Sequence, residues 1–304
     1  MQIPGLRGIA PIDLGKRAVQ GFMAHDMSTY AAALAYSALF SLFPFLIFLI
    51  ALLGFLHIPE FFTWLLDEGR KALPHSAYTL LDDTVSQIQG RASGGLLSVG
   101  IVGAIWGASS GVRALMNALN VAYEIEETRA AWKKYLYSVL YTVGFAAMLI
   151  CLVALMLLGP RSMDWLSDQL GLGSVFVSAW TILRWPVLVL LMMVIAALVY
   201  YVAPNVQQPF RLITPGSVLA VVLWLLASIG LSLYVSSFSN YSATYGSLAG
   251  VVILLLYLYI SSAVILLGAE VNAVVHRVEL GTPVPDDTGG TDGEDVPNGG
   301  LKTA

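Results

Sequence analysis

Residues 31–56 read AAALAYSALFSLFPFLIFLIALLGFL, and this stretch decides the fold. It contains no Asp, Glu, Lys or Arg. A helix of about 20 apolar residues crosses a hydrocarbon core about 30 Å thick. An uncharged run of this length is typical of a membrane span, so we interpret residues 31–56 as the first transmembrane helix.

Five similar apolar runs follow along the chain. The six predicted spans are 31–56, 96–122, 135–158, 175–202, 213–235 and 247–272. The 304 residues are 58% hydrophobic and 11% charged, whereas an ordinary soluble domain has about 25% charged residues. We therefore predict an all-α membrane protein, a bundle of six transmembrane helices over residues 31–277 with extra interfacial amphipathic helices.

The segments outside the spans predict three smaller features. Residues 1–30 form a predicted cytoplasmic segment with an interfacial helix over 13–29, on which Leu14, Ala18, Phe22 and Met23 share one side. The loop 57–95 carries apolar residues at helical spacing, which favours amphipathic helices over a solvated loop. The tail 278–304, rich in Gly, Pro and acid, predicts a disordered cytoplasmic end.

The basic residues predict the orientation. Placing both termini in the cytoplasm puts nine Lys and Arg residues on the inner side and four on the outer side, as the positive-inside rule favours. The lack of a basic surface argues against a nucleic-acid partner, and the net charge of −4 is not a functional clue. Membrane lipids are the expected partners.

Two groups of glycines are spaced for helix packing. Gly103, Gly107 and Gly111 recur every four residues in the second span, and Gly246 and Gly250 repeat the spacing in the sixth. Small residues at this spacing let membrane helices approach closely. Packing within the bundle is the simpler interpretation, and a homo-oligomer that uses the same faces is the alternative.

Arg113 is the most unusual charge in the predicted spans. Asn117, Asn120 and Glu124 follow it at helical spacing and form a polar stripe, which should face protein or water. Arg113 could instead anchor the end of the second span by extending to the interface.

Depth in the membrane suggests partners for Arg113. Glu270 near the end of the sixth span and Asp26 before the first fall at a similar depth, so we hypothesise that Arg113 pairs with one of them. A structural clamp and a gate are both consistent with such a pair.

Arg184 also lies within a predicted span. It precedes Trp185 and Pro186 and could mark the outer interface. The functional alternative is a site for an anionic group such as a lipid phosphate.

Motifs of soluble enzyme chemistry are missing from the sequence. P-loop, HExxH and GxSxG patterns do not occur, the four histidines are scattered, and Cys151 is the one cysteine. We therefore expect no enzyme, no catalytic residue, no metal and no cofactor.

Several local patterns, taken in order, resemble the YihY/BrkB family of bacterial inner-membrane proteins. The patterns are the uncharged first span with Pro44, Asn120 and Arg129 in ALNVAYEIEETR, Arg184-Trp185-Pro186, Tyr200 and Pro204 in YYVAPN, Pro215-Gly216, Tyr245-Gly246-Ser247-Leu248, and Gly268-Ala269-Glu270 with Asn272. The resemblance covers about residues 15–277. It implies a multi-pass helical protein of the bacterial cytoplasmic membrane. Family members have carried ribonuclease and virulence labels, and some have been linked to export of envelope lipids.

Transport of a lipid or other amphiphile is the leading functional hypothesis. The polar stripe at Arg113, the prolines within spans and the charges near both faces motivate it. A non-transporting structural or partner-binding protein in envelope assembly is the alternative. An intramembrane enzyme ranks third, because no reactive pair of side chains is evident.

Overall fold

The computed structural model describes residues 10–55, 94–157, 173–206, 208–237 and 247–280, with single residues at 66, 67, 70, 78, 82 and 167. Within these ranges the regular structure is helical, without a strand, which confirms the all-α prediction. The helices are α1 Pro11–Ala24, α2 Met27–Phe55, α3 Gly94–Ala122, α4 Ala131–Leu157, α5 Gly173–Val202, α6 Pro215–Ser237 and α7 Ser247–Glu279. The predicted outer helices of 57–95 and the tail beyond 280 lie outside the described ranges.

The long helices follow the predicted spans closely, because apolar length dictates both. In the described residues, four helical segments are long and apolar enough to cross a membrane: Ala131–Leu152, Val175–Val202, Pro215–Val235 and Gly250–Glu279. α2 and α3 have 29 residues each. A span count of six stays a prediction. The main differences in length are that α2 and α4 each begin four residues before their predicted spans and that α7 continues to Glu279, beyond the predicted end at Asn272.

Six helices form a closed cycle of contacts. Each helix from α2 to α6 packs against the next one along the chain, and α7 returns to pack against α2. α7 also touches α3 and α5. α1 lies against α7 and, more lightly, against α2.

Fully buried side chains concentrate at one end of this cycle. We call it the α1 end: it comprises α1, the first turns of α2, α4 and α6, the last turns of α3, α5 and α7, and the segments that connect α3 to α4 and α5 to α6. Met27, Leu119, Tyr200, Leu266 and Ala273 belong to the core there. Along α7, residues 251–265 are exposed or half-buried, whereas 268–275 are all buried. The helices are therefore packed tightly at the α1 end and more loosely toward the other end, among the residues described.

α1 is shorter than predicted, and its orientation differs in part. It ends at Ala24, and a turn at His25 and Asp26 separates it from α2. Leu14 and Ala18 are buried in a cluster with α7 residues, as their shared side predicts. Met23 was expected on the same side but is 74% exposed.

The structure supports the glycine prediction at Gly111 and contradicts it at Gly250. A Cβ at Gly111 would lie 3.7 Å from the Cβ of Ser37, so α2 and α3 approach closely there. Gly103 and Gly107 are half-buried on the same helix. A Cβ at Gly250 would meet nothing within 4 Å, so the assignment of this glycine to packing within the bundle is wrong. Gly246 lies outside the described residues.

The closest backbone approach joins α6 and α7 at Gly216 and Gly268. A Cβ at Gly216 would overlap the carbonyl oxygen of Gly268. Asn272 Oδ1 accepts a hydrogen bond from the Gly216 backbone N–H at 2.9 Å, and its amide donates to Thr214 Oγ1 at 3.0 Å. Thr214 and Ser217 exchange hydrogen bonds as a cap for α6, with Pro215 in the first-turn position that proline favours.

Gly216→Ala should destabilise the protein by about 1–3 kcal/mol, because a methyl group must displace backbone rather than a flexible side chain. Gly230→Ala in the same helix is the control, since its Cβ would meet nothing within 4 Å. Thermal unfolding in lipid nanodiscs compares the two. Equal unfolding temperatures for both variants would contradict the close α6–α7 approach.

Cysteines at positions 37 and 111 should form a disulfide in a Cys151→Ser background. The 3.7 Å separation of the two Cβ positions falls within the disulfide range of about 3.5–4.5 Å. Oxidation should give a cross-link seen as a mobility shift that a reductant reverses. Cysteines at 37 and 230 should stay unlinked, and cross-linking of both pairs alike would contradict the α2–α3 packing.

Candidate functional site at the α1 end

His25 is the centre of a network of charged side chains at the α1 end. Its Nδ1 lies 2.7 Å from Glu270 Oε1 on α7, and its Nε2 lies 3.2 Å from Glu124 Oε1 beyond α3. Arg277 Nη1 donates to the same Glu124 oxygen. We call these four residues the His25 network. It links the α1–α2 turn, the end of α3 and the end of α7.

Glu270 is the buried member of the His25 network. It is 0% exposed. Its Oε2 has no hydrogen-bond partner among the described residues and faces Gly21 of α1, where a Cβ would overlap it. An isolated buried carboxylate is costly, so the contact with His25 offsets part of its desolvation.

Two residues in the left-handed backbone region bring the network together. Asp26 has φ 50° in the turn after α1, and Glu124 has φ 55° just after α3. Non-glycine residues adopt this region at some cost in energy. At Asp26, the backbone turns from α1 into α2 and presents His25. At Glu124, it redirects the carboxylate away from the helix face on which the sequence predicted it.

The predicted pairing of Arg113 with Glu270 or Asp26 is wrong. Arg113 Nη1 donates to Ser109 Oγ on α3 and to Ser138 Oγ on α4, each at 3.1 Å. Its guanidinium lies over the Tyr135 ring, 4.4 Å from the centroid. Arg113 therefore joins α3 to α4. Arg113 was expected at a depth similar to that of Glu270, but its side chain lies on the side of α3 that faces α4 rather than on the side that faces α7.

Asp26 and Arg184 each contact residues other than Arg113. Asp26 is exposed and accepts a hydrogen bond from Ser28. Arg184 is half-buried within α5, with its guanidinium over the Trp185 ring at 5.1 Å. Its Nε has no hydrogen-bond partner among the described residues.

Arg113 and Asn120 of the predicted polar stripe face protein, whereas Asn117 is exposed. Besides Arg113, Asn117 accepts a hydrogen bond from Lys134 Nζ on α4. Asn120 is buried and donates to Glu127 Oε2 at 3.0 Å, while its Oδ1 accepts from the Asn205 backbone N–H at 2.7 Å. Asn117 and Asn120 therefore connect α3 to α4 and to the end of α5.

Glu127 and Arg129 form a second network beside Asn120. Arg129 binds the Glu127 carboxylate through two nitrogens, at 2.7 and 2.9 Å, and donates to the Ala203 carbonyl oxygen at 3.1 Å. Burial alone would raise the pKa of Glu127. The hydrogen bonds and charge of Arg129, with the Asn120 amide, outweigh burial and hold the pKa below its usual value of 4.5.

A narrow cleft opens beside these networks, between the end of α5 and the end of α7. Its volume is about 40 Å³, and Tyr123, Gln208 and Asn272 contribute to its polar lining. Arg211 and Glu279 at its edge form an ion pair at 3.0 Å. This space suits a few water molecules and is too small for a lipid.

Sequence reasoning missed most of these partners. Sequence reasoning did not select four of them as site residues, because none lies in a spacing pattern that is typical of a functional site. These are His25, Glu127, Arg277 and Asn205. The family resemblance did mark Asn120, Arg129, Tyr200 and Asn272, all of which make polar contacts at the α1 end. That resemblance identified the positions without their partners.

Long apolar helices joined at one end by buried polar networks define a multi-pass α-helical membrane protein. The virulence factor BrkB family model matches residues 18–288, which is most of the chain. The chain belongs to this family.

Named relatives carry membrane-protein or ribonuclease-like names. YfkH of Bacillus subtilis, which carries a ribonuclease-like name, is 36% identical over 84% of this chain and 92% of its own length. A UPF0761 membrane protein of Vibrio vulnificus is 24% identical over 87% of this chain and 83% of its own length. One from Stenotrophomonas maltophilia is 26% identical over 86% of this chain and 60% of its own length. No solved structure matches the chain.

The Glu127 network predicts how stability depends on pH. Because its folded pKa is lowered, Glu127 stabilises the fold fully above its unfolded pKa near 4.5 and loses this effect as the pH falls through the folded value. The stability gap between wild type and Glu127→Gln should therefore narrow on acidification. Thermal unfolding across pH measures it, with the exposed Glu126→Gln as the control. A gap that stays constant with pH would contradict this assignment.

Proposed function

We propose that this protein moves a lipid or other amphiphile within or across the bacterial cytoplasmic membrane, and that the α1 end is its closed cytoplasmic gate. The observation that carries the proposal is the difference between the two ends of the helix cycle. The α1 end is sealed by buried side chains and two polar networks, whereas burial decreases along the helices toward the other end. A transporter that is closed on one side has this form.

The basic residues support a cytoplasmic α1 end. Those carried by the elements at this end are Lys16, Arg17, Arg129, Lys133, Lys134, Arg211 and Arg277. Lys and Arg near span ends favour the cytoplasmic side. Both termini are then proposed to be cytoplasmic.

Ionisable side chains inside the bundle support a gate over a purely passive bundle. Glu270 is the most buried of them, and each buried charge in a membrane helix is costly. Its partner His25 lies in the turn between α1 and α2 rather than in one of the long helices. Movement of α1 would therefore separate the pair without unfolding any long helix.

Arg184 supports an amphiphilic substrate. It lies 18 residues before the end of α5 at Val202, which corresponds to about 27 Å of helix. This length supports a position near the membrane face opposite the α1 end. Its half-buried guanidinium, whose Nε has no hydrogen-bond partner within the described part of the chain, could bind a lipid phosphate there.

One observation favours the alternative of a partner-binding membrane protein. Ile12, Val19 and Met23 are exposed on α1 at helical spacing. A partner helix could bind this apolar face. Because Lys16 is exposed among the apolar residues, the same face also suits an anionic membrane surface. Such a protein would need no movement at the α1 end.

Reconstituted protein should accelerate the exchange of fluorescent phospholipids between the leaflets of vesicles made from bacterial lipids. Glu270→Gln should change the rate, because it weakens the link to His25, whereas Glu126→Gln should match the wild type. Arg184→Gln should slow the exchange more than Arg184→Lys, because lysine keeps the charge.

The controls are empty vesicles and vesicles containing heat-denatured protein. Rates equal to those of empty vesicles for every lipid in a panel would contradict lipid transport. That result, together with a stable partner recovered in detergent, would favour the alternative function.

A further inference from the structure

We infer that His25, Glu124 and Glu270 form a binding site for one proton, which controls the contact between the α1–α2 turn and α7. The proton site stands on the geometry alone. Its role in opening a gate rests on the proposed function.

The hydrogen-bond chemistry of the imidazole ring carries the inference. Each ring nitrogen of His25 contacts a carboxylate oxygen, at 2.7 Å to Glu270 and 3.2 Å to Glu124. An ionised carboxylate only accepts hydrogen bonds, and a neutral imidazole has a single N–H. With a neutral ring and two ionised carboxylates, one of the contacts would set two lone pairs against each other. Both contacts become hydrogen bonds when one more proton is present, on the ring or on one carboxyl group.

The charges around the site also balance with that proton bound. α3 and the residues after it contribute Glu124 and the Tyr123 side chain, α7 contributes Glu270 and Arg277, and the turn contributes His25. From α1, the backbone of Gly21 lies against Glu270 Oε2. The proton on His25 and the charge of Arg277 then offset the two carboxylates. Without the proton, two carboxylates oppose one arginine.

Exposure decreases stepwise along the three side chains. The side chain of Glu124 is 50% exposed, that of His25 is 16% exposed and that of Glu270 is 0% exposed. A proton from solvent can therefore pass from Glu124 through the ring of His25 to Glu270 without any helix opening. In this transfer one ring nitrogen takes up the proton from the Glu124 side, and the other gives up its own proton to Glu270 Oε1.

The arrangement fits a proton better than a metal ion. The two carboxylates contact opposite nitrogens of the imidazole ring. They lie on either side of the ring rather than converging on one point, so they do not form a ligand set for a single cation. Glu270 Oε2, buried and without a partner among the described residues, is a further position for a proton.

Nuclear magnetic resonance of the full chain in lipid nanodiscs, with isotope-labelled histidine, tests the site. The chain has four histidines, so His57→Gln, His75→Gln and His276→Gln assign the remaining signal to His25. In wild type near neutral pH, we expect either both ring nitrogens of His25 protonated or a protonated carboxyl band in infrared difference spectra that Glu270→Gln or Glu124→Gln removes. A neutral ring with no such band would overturn the inference.

The same histidine signals in variants, recorded at one pH near neutral, provide the second measurement. Glu270→Gln should shift the Nδ1 signal of His25, because the carboxylate oxygen 2.7 Å away is replaced by an amide. Glu124→Gln should shift the Nε2 signal instead, and Glu126→Gln should leave both signals unchanged. A His25 spectrum that is the same in Glu270→Gln and Glu126→Gln would overturn the inference.

These measurements need no transport, so the two proposals can fail separately. A confirmed proton site in a protein that leaves lipid exchange at the empty-vesicle rate would contradict the transport function alone. Lipid exchange with a neutral His25 and no protonated carboxyl would contradict the proton site alone.

Discussion

The buried carboxylate of Glu270 is the constraint on which the α1 end depends. Removing an ion from water costs several kcal/mol, even after the surrounding protein relaxes. The contact with His25 offsets part of that cost. The turn after α1, in which the backbone of Asp26 adopts the left-handed region, positions His25 for this contact. Gly21 fits the same place because it has no Cβ to overlap the carboxylate. The shape of the chain between α1 and α2 follows from these two requirements.

Packing at the α1 end complements this electrostatic contact. Where Gly216 and Gly268 meet, α6 and α7 touch through backbone atoms, and Asn272 hydrogen-bonds the first turn of α6. The Tyr200 hydroxyl donates to the Ile265 carbonyl oxygen at 2.7 Å. In a membrane, helices associate through close packing and hydrogen bonds rather than the hydrophobic effect. Among the described residues both contributions are strongest at the α1 end, which is why we propose that this end is the closed gate of the bundle.

The sequence predicts the helices well because a membrane requires long uninterrupted apolar runs, and these runs stand out in the chain. It predicts side-chain partners poorly because depth fixes one coordinate only. Arg113 and Glu270 were placed at a similar depth, yet Arg113 faces Ser138 on α4. The rotation of a helix about its axis depends on every helix that packs against it. The spacing of residues within one helix does not identify those neighbours. Glu124 left the predicted stripe because α3 ends at Ala122, two residues earlier.

A double-mutant cycle between His25 and Glu270 tests the central claim most directly. Unfolding of His25→Gln, Glu270→Gln and the double variant would be measured in nanodiscs at one pH. Each single change should destabilise the protein, and the double change should cost less than their sum by about 1 kcal/mol or more, because the second substitution removes a partner that has already lost its contact. Costs that add to within about 0.5 kcal/mol, the usual result for independent sites, would contradict the claim that this pair holds the α1 end together.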